Sequence, residues 1–190
     1  PPFPTLESNV KTDVLIIGGG LAGLLTAYQL HQLGIPYLLI EADRICSGVT
    51  RNTTAKITAQ HGLIYDTLQK QFGAETAKCY YQANTEAIEK YRRLSREINC
   101  DFEEQDSYVY SHDHPEKLEQ EMKVLSDLKI PADFVREIPL PFPTAGAIRF
   151  PKQAQFHPLK FVSALLPELN IREHTTASAI DGTVVHTDHG

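Results

Sequence analysis

Asp13-Val14-Leu15-Ile16-Ile17-Gly18-Gly19-Gly20-Leu21-Ala22-Gly23-Leu24-Leu25 is the stretch that decides the fold. Its opening run is apolar without polar alternation, the pattern of a strand covered on both faces, as in a parallel sheet. The run stops at consecutive glycines. From Leu21 to Leu33 apolar residues recur at helical spacing, and Gly34 offers a C-terminal stop. Tyr37-Leu38-Leu39-Ile40-Glu41 then reads as a second covered strand. Strand, glycine turn, helix and strand make a βαβ unit with a right-handed crossover. The fold class that follows is α/β, a Rossmann-like dinucleotide-binding domain.

Gly18-x-Gly20-x-x-Gly23 sits between strand and helix, and the acid Glu41 ends the next strand 18 positions after Gly23. The fingerprint for a bound dinucleotide asks for an acid roughly 20 residues on. Gly18 makes the tight turn, Gly20 lets backbone approach a pyrophosphate, and Gly23 lets helix and strand pack closely. Free amides at Leu21 and Ala22, with the helix dipole, suit phosphate charge. Glu41, with Ala42 after it, is placed to accept hydrogen bonds from a ribose diol and to repel a 2′-phosphate. Ala27, Leu30 and Gly34 extend the match to the long, flavin-type version of the motif, while Tyr37 stands where Val is commoner.

Residues 42–62 form a long polar loop, of the length that tends to be functional in a compact domain. Helices are expected over 63–72 and 75–98, the second with Ala77, Tyr80, Tyr81, Ile88, Tyr91, Leu94 and Ile98 near one stripe. Further on, strands are expected at 107–111, 134–136, 147–150, 169–174 and 183–188, and helices at 114–128 and 158–166. Asp181-Gly182 signals a hairpin turn.

The chain has 190 residues, 42% of them hydrophobic, and a net charge of −6. That apolar fraction supports a real core, and an acidic chain with no basic run is a poor nucleic-acid binder. No apolar run approaches the roughly 18 residues of a membrane span. Three cysteines, Cys46, Cys79 and Cys100, without Cys-x-x-Cys spacing, fit a reducing, cytoplasmic setting and no metal site. His112-Asp113-His114 lacks the further ligands a metal needs.

The long motif resembles that of the D-amino-acid oxidase and glycine-oxidase-like family of FAD-dependent oxidoreductases. A closer resemblance, to bacterial flavoproteins with a C-terminal Rieske domain, rests on three stretches. They are Thr53-Thr54-Ala55-Lys56-Ile57-Thr58-Ala59-Gln60-His61-Gly62, Tyr80-Tyr81-x-Ala83-Asn84, and Gln153-Ala154-Gln155-Phe156-His157-Pro158-Leu159-Lys160. The resemblance implies FAD as cofactor, with contacts from Gly48, Thr50, Asn52, Thr53, Thr54 and Ala55. It lays Arg44 over the adenine and sets the backbone of Ala177 at the adenine edge. Lys56 and His61 are the catalytic candidates, a Lys to stabilise negative charge on reduced flavin or peroxide and a His to move protons.

The resemblance further implies a discontinuous FAD-binding domain of which residues 1–100 and about 157–190 are the first part. Residues of about 101–156 are then part of an α+β substrate lobe. The remaining half of the FAD domain and any Rieske domain with a 2Fe–2S cluster are expected to lie outside this chain. On that reading, the piece alone is expected to hold FAD weakly and to be inactive. The implied activity is hydride transfer from a small-molecule substrate, an amine or amino acid, to flavin, with the electron acceptor open. Two other readings remain at this point: an NAD-binding enzyme, and a non-catalytic nucleotide-binding or assembly module.

Overall fold

The computed structural model describes residues 3–189. In chain order it begins with β1 (Val14–Ile17), α1 (Leu21–Gln32), β2 (Tyr37–Ile40) and a 3-10 turn at Val49–Asn52. β3 (Lys56–Ile57), α2 (Ile64–Leu94), β4 (Glu103–Ser111), α3 (Pro115–Asp127), β5 (Asp133–Val135) and β6 (Gly146–Gln155) follow. α4 (Pro158–Leu165), β7 (Ile171–Arg172), β8 (Ala177–Asp181) and β9 (Val184–Thr187) complete it. The chain divides into two compact units. One is the chain up to Thr54 together with the chain from His157; the other is Ala55–Phe156.

In the first unit β1, β2 and β7 form a parallel sheet in the order β1-β2-β7. All four residues of β2 are buried, as expected for a central strand. β1 departs from the expectation: Ile17 is 51% exposed, because β1 has a strand neighbour on one side only. α1 buries Leu24 and Ala27, and ends where Gly34 turns left-handed with its amide on the His31 carbonyl. α4 starts at Pro158, where the missing N–H costs nothing, and His157 Nδ1 accepts the Lys160 amide as a cap. Leu6, Leu38 and Ile40 make a small core on which Leu15 and Ala177 pack. β8 and β9 are the expected hairpin about Asp181-Gly182.

Two buried hydrogen-bonding clasps tie this unit to its N-terminal arm. Glu173, 3% exposed, accepts the Phe3 amide at 3.0 Å through one oxygen and the Ile45 amide at 2.9 Å through the other. Thr175 Oγ1 accepts the Leu6 amide at 3.1 Å.

In the second unit β6 is the spine. β4 lies antiparallel along one edge, with β5 and β3 on the other. α2 and α3 cover one face, where Tyr65, Ala77, Leu118, Leu125, Ile148 and Phe150 form the core. α2 therefore groups here by packing, whereas the sequence reading had carried the first domain to residue 100. The helix is broken at Gly73, whose φ of 85° and ψ of 166° are not helical, so the two expected helices meet end to end. The second of them stops at Leu94, so Ile98 falls beyond the stripe. Glu121, 2% exposed, supplies the missing cap for α2: its oxygens accept the Tyr65 and Asp66 amides, each at 2.8 Å.

β4 and β6 run longer than the sequence suggested, and their register shifts between Gln105 and Ser107. No helix among the described residues is long and apolar enough to cross a membrane.

Candidate functional site

Unit one carries a glycine bend built for close approach. Gly18 has φ of 110°, in the region that glycine alone takes without strain. A Cβ on Gly23 would lie 2.0 Å from the Gly18 carbonyl oxygen, so any side chain there would push the helix off the strand. The sequence reading gave no part to Gly19, yet it too is crowded: a Cβ there would meet Ile45 at 2.7 Å.

Glu41 lies at the mouth of this bend. Its Oε2 accepts the Gly19 amide at 2.6 Å and its Oε1 accepts the Asp43 amide at 2.9 Å. Each oxygen keeps a lone pair for a further donor. The Cys46 amide donates to the Gly19 carbonyl at 2.9 Å, which folds the 42–48 loop back onto the glycines. Burial, and then the Glu41 charge, push the Cys46 thiol above its ordinary pKa.

At the start of α1, the Leu21 amide donates to Thr50 Oγ1 at 3.0 Å. Thr50 is buried, and its hydroxyl proton remains available to a second acceptor. The amides of Gly20, Ala22 and Gly23 have no acceptor among the described residues. Three unsatisfied N–H groups at a helix N-terminus, with its dipole, are a receptor for phosphate charge.

The other expected cofactor residues surround or follow this bend in the chain. Ala42 and Arg44 lie in the loop that Cys46 anchors, Arg44 exposed. Gly48 caps the 3-10 turn, and Asn52 Nδ2 donates weakly to its carbonyl at 3.4 Å. Thr53 and Thr54 are exposed, and Ala55 turns left-handed at φ 59° before β3. Ala177 opens β8 with its side chain against the Leu6 core. Hydrogen bonds link Gly19 with Glu41 and Leu21 with Thr50.

The catalytic candidates belong to the second unit. Lys56, on β3, is exposed and lies opposite Gln155 of β6. His61 Nδ1 hydrogen-bonds the Tyr80 hydroxyl at 2.7 Å, with the rings edge to face at 6.1 Å. That partner had been placed in the sequence only on a core stripe of the helix. Glu173 was missed entirely, since nothing in Arg172-Glu173-His174 marks its acid as buried.

A bend that only glycine fits, unsatisfied helix amides and an acid at the next strand end define a dinucleotide-binding α/β protein. Residues 13–190 match the family described as FAD dependent oxidoreductase (DAO), and the chain belongs to that family. It is 39% identical over 173 residues to YhfW of Bacillus subtilis, a protein named for a Rieske 2Fe-2S iron-sulfur centre. That match covers 89% of this chain and 34% of YhfW. It is 30% identical over 114 residues to gamma-glutamylputrescine oxidoreductase of Escherichia coli, covering 59% of this chain and 27% of that protein. Among solved structures, L-proline dehydrogenase of P. horikoshii aligns with a TM-score of 0.74 at 18% identity, over 99% of this chain and 50% of that one. Glycine oxidase of Geobacillus kaustophilus aligns at 0.65 and 17%, over 94% and 52%. The chain thus spans about a third of the length of its curated relative YhfW and half that of the aligned structures.

Proposed function

We propose that the protein is an FAD-dependent oxidoreductase whose first unit holds the ADP half of FAD. The observation that carries this is Glu41 on the Gly19 amide at 2.6 Å beside three helix amides without an acceptor among the described residues. The amides of Gly20, Ala22 and Gly23 hold the diphosphate, and the Thr50 hydroxyl donates to it. Glu41 accepts from the ribose diol. Gly48, Asn52, Thr53, Thr54 and Ala55 carry the chain along the rest of the cofactor, Arg44 covers the adenine, and the Ala177 backbone meets its edge. Bound flavin supplies acceptance of a hydride from the substrate. Ala55–Phe156 is the substrate lobe. Lys56 steadies negative charge, and His61, its Nδ1 engaged by Tyr80, passes protons through Nε2.

The substrate class is an amine or amino acid. Support comes from the names of relatives and neighbours: gamma-glutamylputrescine oxidoreductase, L-proline dehydrogenase and glycine oxidase. In the whole protein a 2Fe–2S centre of the Rieske type, after the name of the Bacillus subtilis relative, is the electron acceptor.

The test is the flavin absorbance of full-length protein as purified, before and after Glu41→Lys. Flavin at near one per chain in the wild type and its loss in the variant are expected. A colourless wild type, or a variant that keeps its flavin, overturns the assignment.

A further inference from the structure

We propose that Glu173 is a positioning residue of the nucleotide site, through which the N-terminal arm holds the 42–48 loop against the glycine bend. The arm orders together with the site and sets how tightly the site grips its ligand. Only the name of that ligand, the ADP half of FAD, rests on the oxidoreductase reading.

Residues 172–175 lie between the arm and the loop and bond to both. On the arm side, the Glu173 amide donates to the Pro4 carbonyl at 3.1 Å, and the Phe3 amide donates to Glu173 Oε2 at 3.0 Å. The Leu6 amide donates to Thr175 Oγ1 at 3.1 Å. On the loop side, the His174 amide donates to the Asp43 carbonyl at 3.0 Å and the Thr175 amide to the Glu41 carbonyl at 2.9 Å. The Ile45 amide donates to Glu173 Oε1 at 2.9 Å. One buried carboxylate thus serves two stretches of chain that are far apart in sequence.

Ile45 carries the hold onward to the bend. Its side chain is the group that a Cβ on Gly19 would strike at 2.7 Å, and the next amide, that of Cys46, donates to the Gly19 carbonyl at 2.9 Å. Gly19 in turn gives its own amide to Glu41 Oε2, while the Asp43 amide of the same loop donates to Glu41 Oε1. The two Glu41 oxygens are therefore aimed by a loop that Glu173 pins.

The backbone beside this pin is strained. Cys46, directly after Ile45, has φ of 58°, and His174, directly after Glu173, has φ of 51°. Residues other than glycine keep such left-handed values where surrounding bonds over-determine them. When the arm leaves, Glu173 loses an amide and gains water, which competes with Ile45 for its oxygens. Cys46 and His174 then relax, and the loop moves off the bend. By linkage, a ligand that holds the loop in place tightens the arm by the same factor as the arm tightens the ligand.

Hydrogen–deuterium exchange of purified full-length protein tests this, read on peptides covering 3–10, 37–40 and 42–48, together with the FAD dissociation constant of flavin-stripped protein. Phe3→Pro removes the arm's donor to Glu173 and leaves every loop residue native. Glu173→Gln leaves one acceptor oxygen for two amides and turns an NH2 group against the other. Either change should speed exchange at 42–48 in flavin-free protein, while the buried strand at 37–40 keeps its wild-type rate. The FAD dissociation constant should rise about three- to tenfold for Phe3→Pro and about five- to fiftyfold for Glu173→Gln. In a flavin-binding wild type, stripping the flavin should speed exchange at 3–10. Wild-type exchange at 42–48 in Phe3→Pro, or arm exchange indifferent to bound flavin, overturns the proposal. If Glu173→Gln does not fold, Phe3→Pro decides alone. A protein that takes up no FAD, yet loosens at 42–48 in Phe3→Pro, refutes the oxidoreductase reading and leaves the clasp standing. A yellow protein whose loop exchange and FAD affinity both ignore Phe3→Pro refutes the clasp alone.

Discussion

Glu41 and Glu121 show how differently one residue type serves in this chain. Both carboxylates accept two backbone amides, but Glu41 does so at a partly open rim and Glu121 inside a core. Burial lifts the Glu121 pKa above the ordinary 4.5, and the nearby Asp66 charge adds to this, while the Tyr65 and Asp66 amides oppose it. A carboxyl with a raised folded-state pKa binds its proton more readily folded than unfolded. Its contribution to stability therefore falls as pH rises from about 4.5 through the raised value. Glu121→Gln should flatten that part of a stability–pH profile measured by urea titration. Glu121→Ala orphans both amides at the start of α2 and should cost about 2–5 kcal/mol at neutral pH. At Gly23 the expectation is steeper in function than in fold. Gly23→Ala forces the helix away from the Gly18 carbonyl, costs at least the about 1–3 kcal/mol of overpacking, and abolishes flavin retention.

At the scale of elements, the sequence was most legible where local chemistry and packing agree. The βαβ unit, the proline-started α4 and the Asp181-Gly182 hairpin all stand where apolar spacing and turn residues put them. So does the Glu41 side chain at the glycine bend, because strand length and helix length fix that spacing together. Legibility failed where partners are distant in sequence. β4 begins at Glu103 through Asp106, residues of low strand propensity that are held by pairing with β6. Glu173 and Glu121 read as surface acids, since only tertiary structure reveals the amides they serve. The register shift beside Gln105 and Ser107, where β6 spends three residues against two of β4, is likewise silent in the sequence.

At the scale of the molecule, the two units differ in how the chain makes them. The first needs two separate segments; the second is the single stretch Ala55–Phe156 with its own core of Tyr65, Leu118, Leu125, Ile148 and Phe150. A polypeptide of residues 55–156 should therefore fold alone, giving a cooperative thermal transition and dispersed amide proton resonances. A spectrum of a collapsed, unstructured chain would show that this core needs the flanking segments.

The strand by which the chain enters that stretch and the strand by which it leaves are hydrogen-bonded neighbours, Lys56 beside Gln155 and Ile57 beside Ala154. Entry and exit a single strand apart are what an inserted cassette requires. A host of this kind can accept a different stretch between the same two points and keep its own parallel sheet.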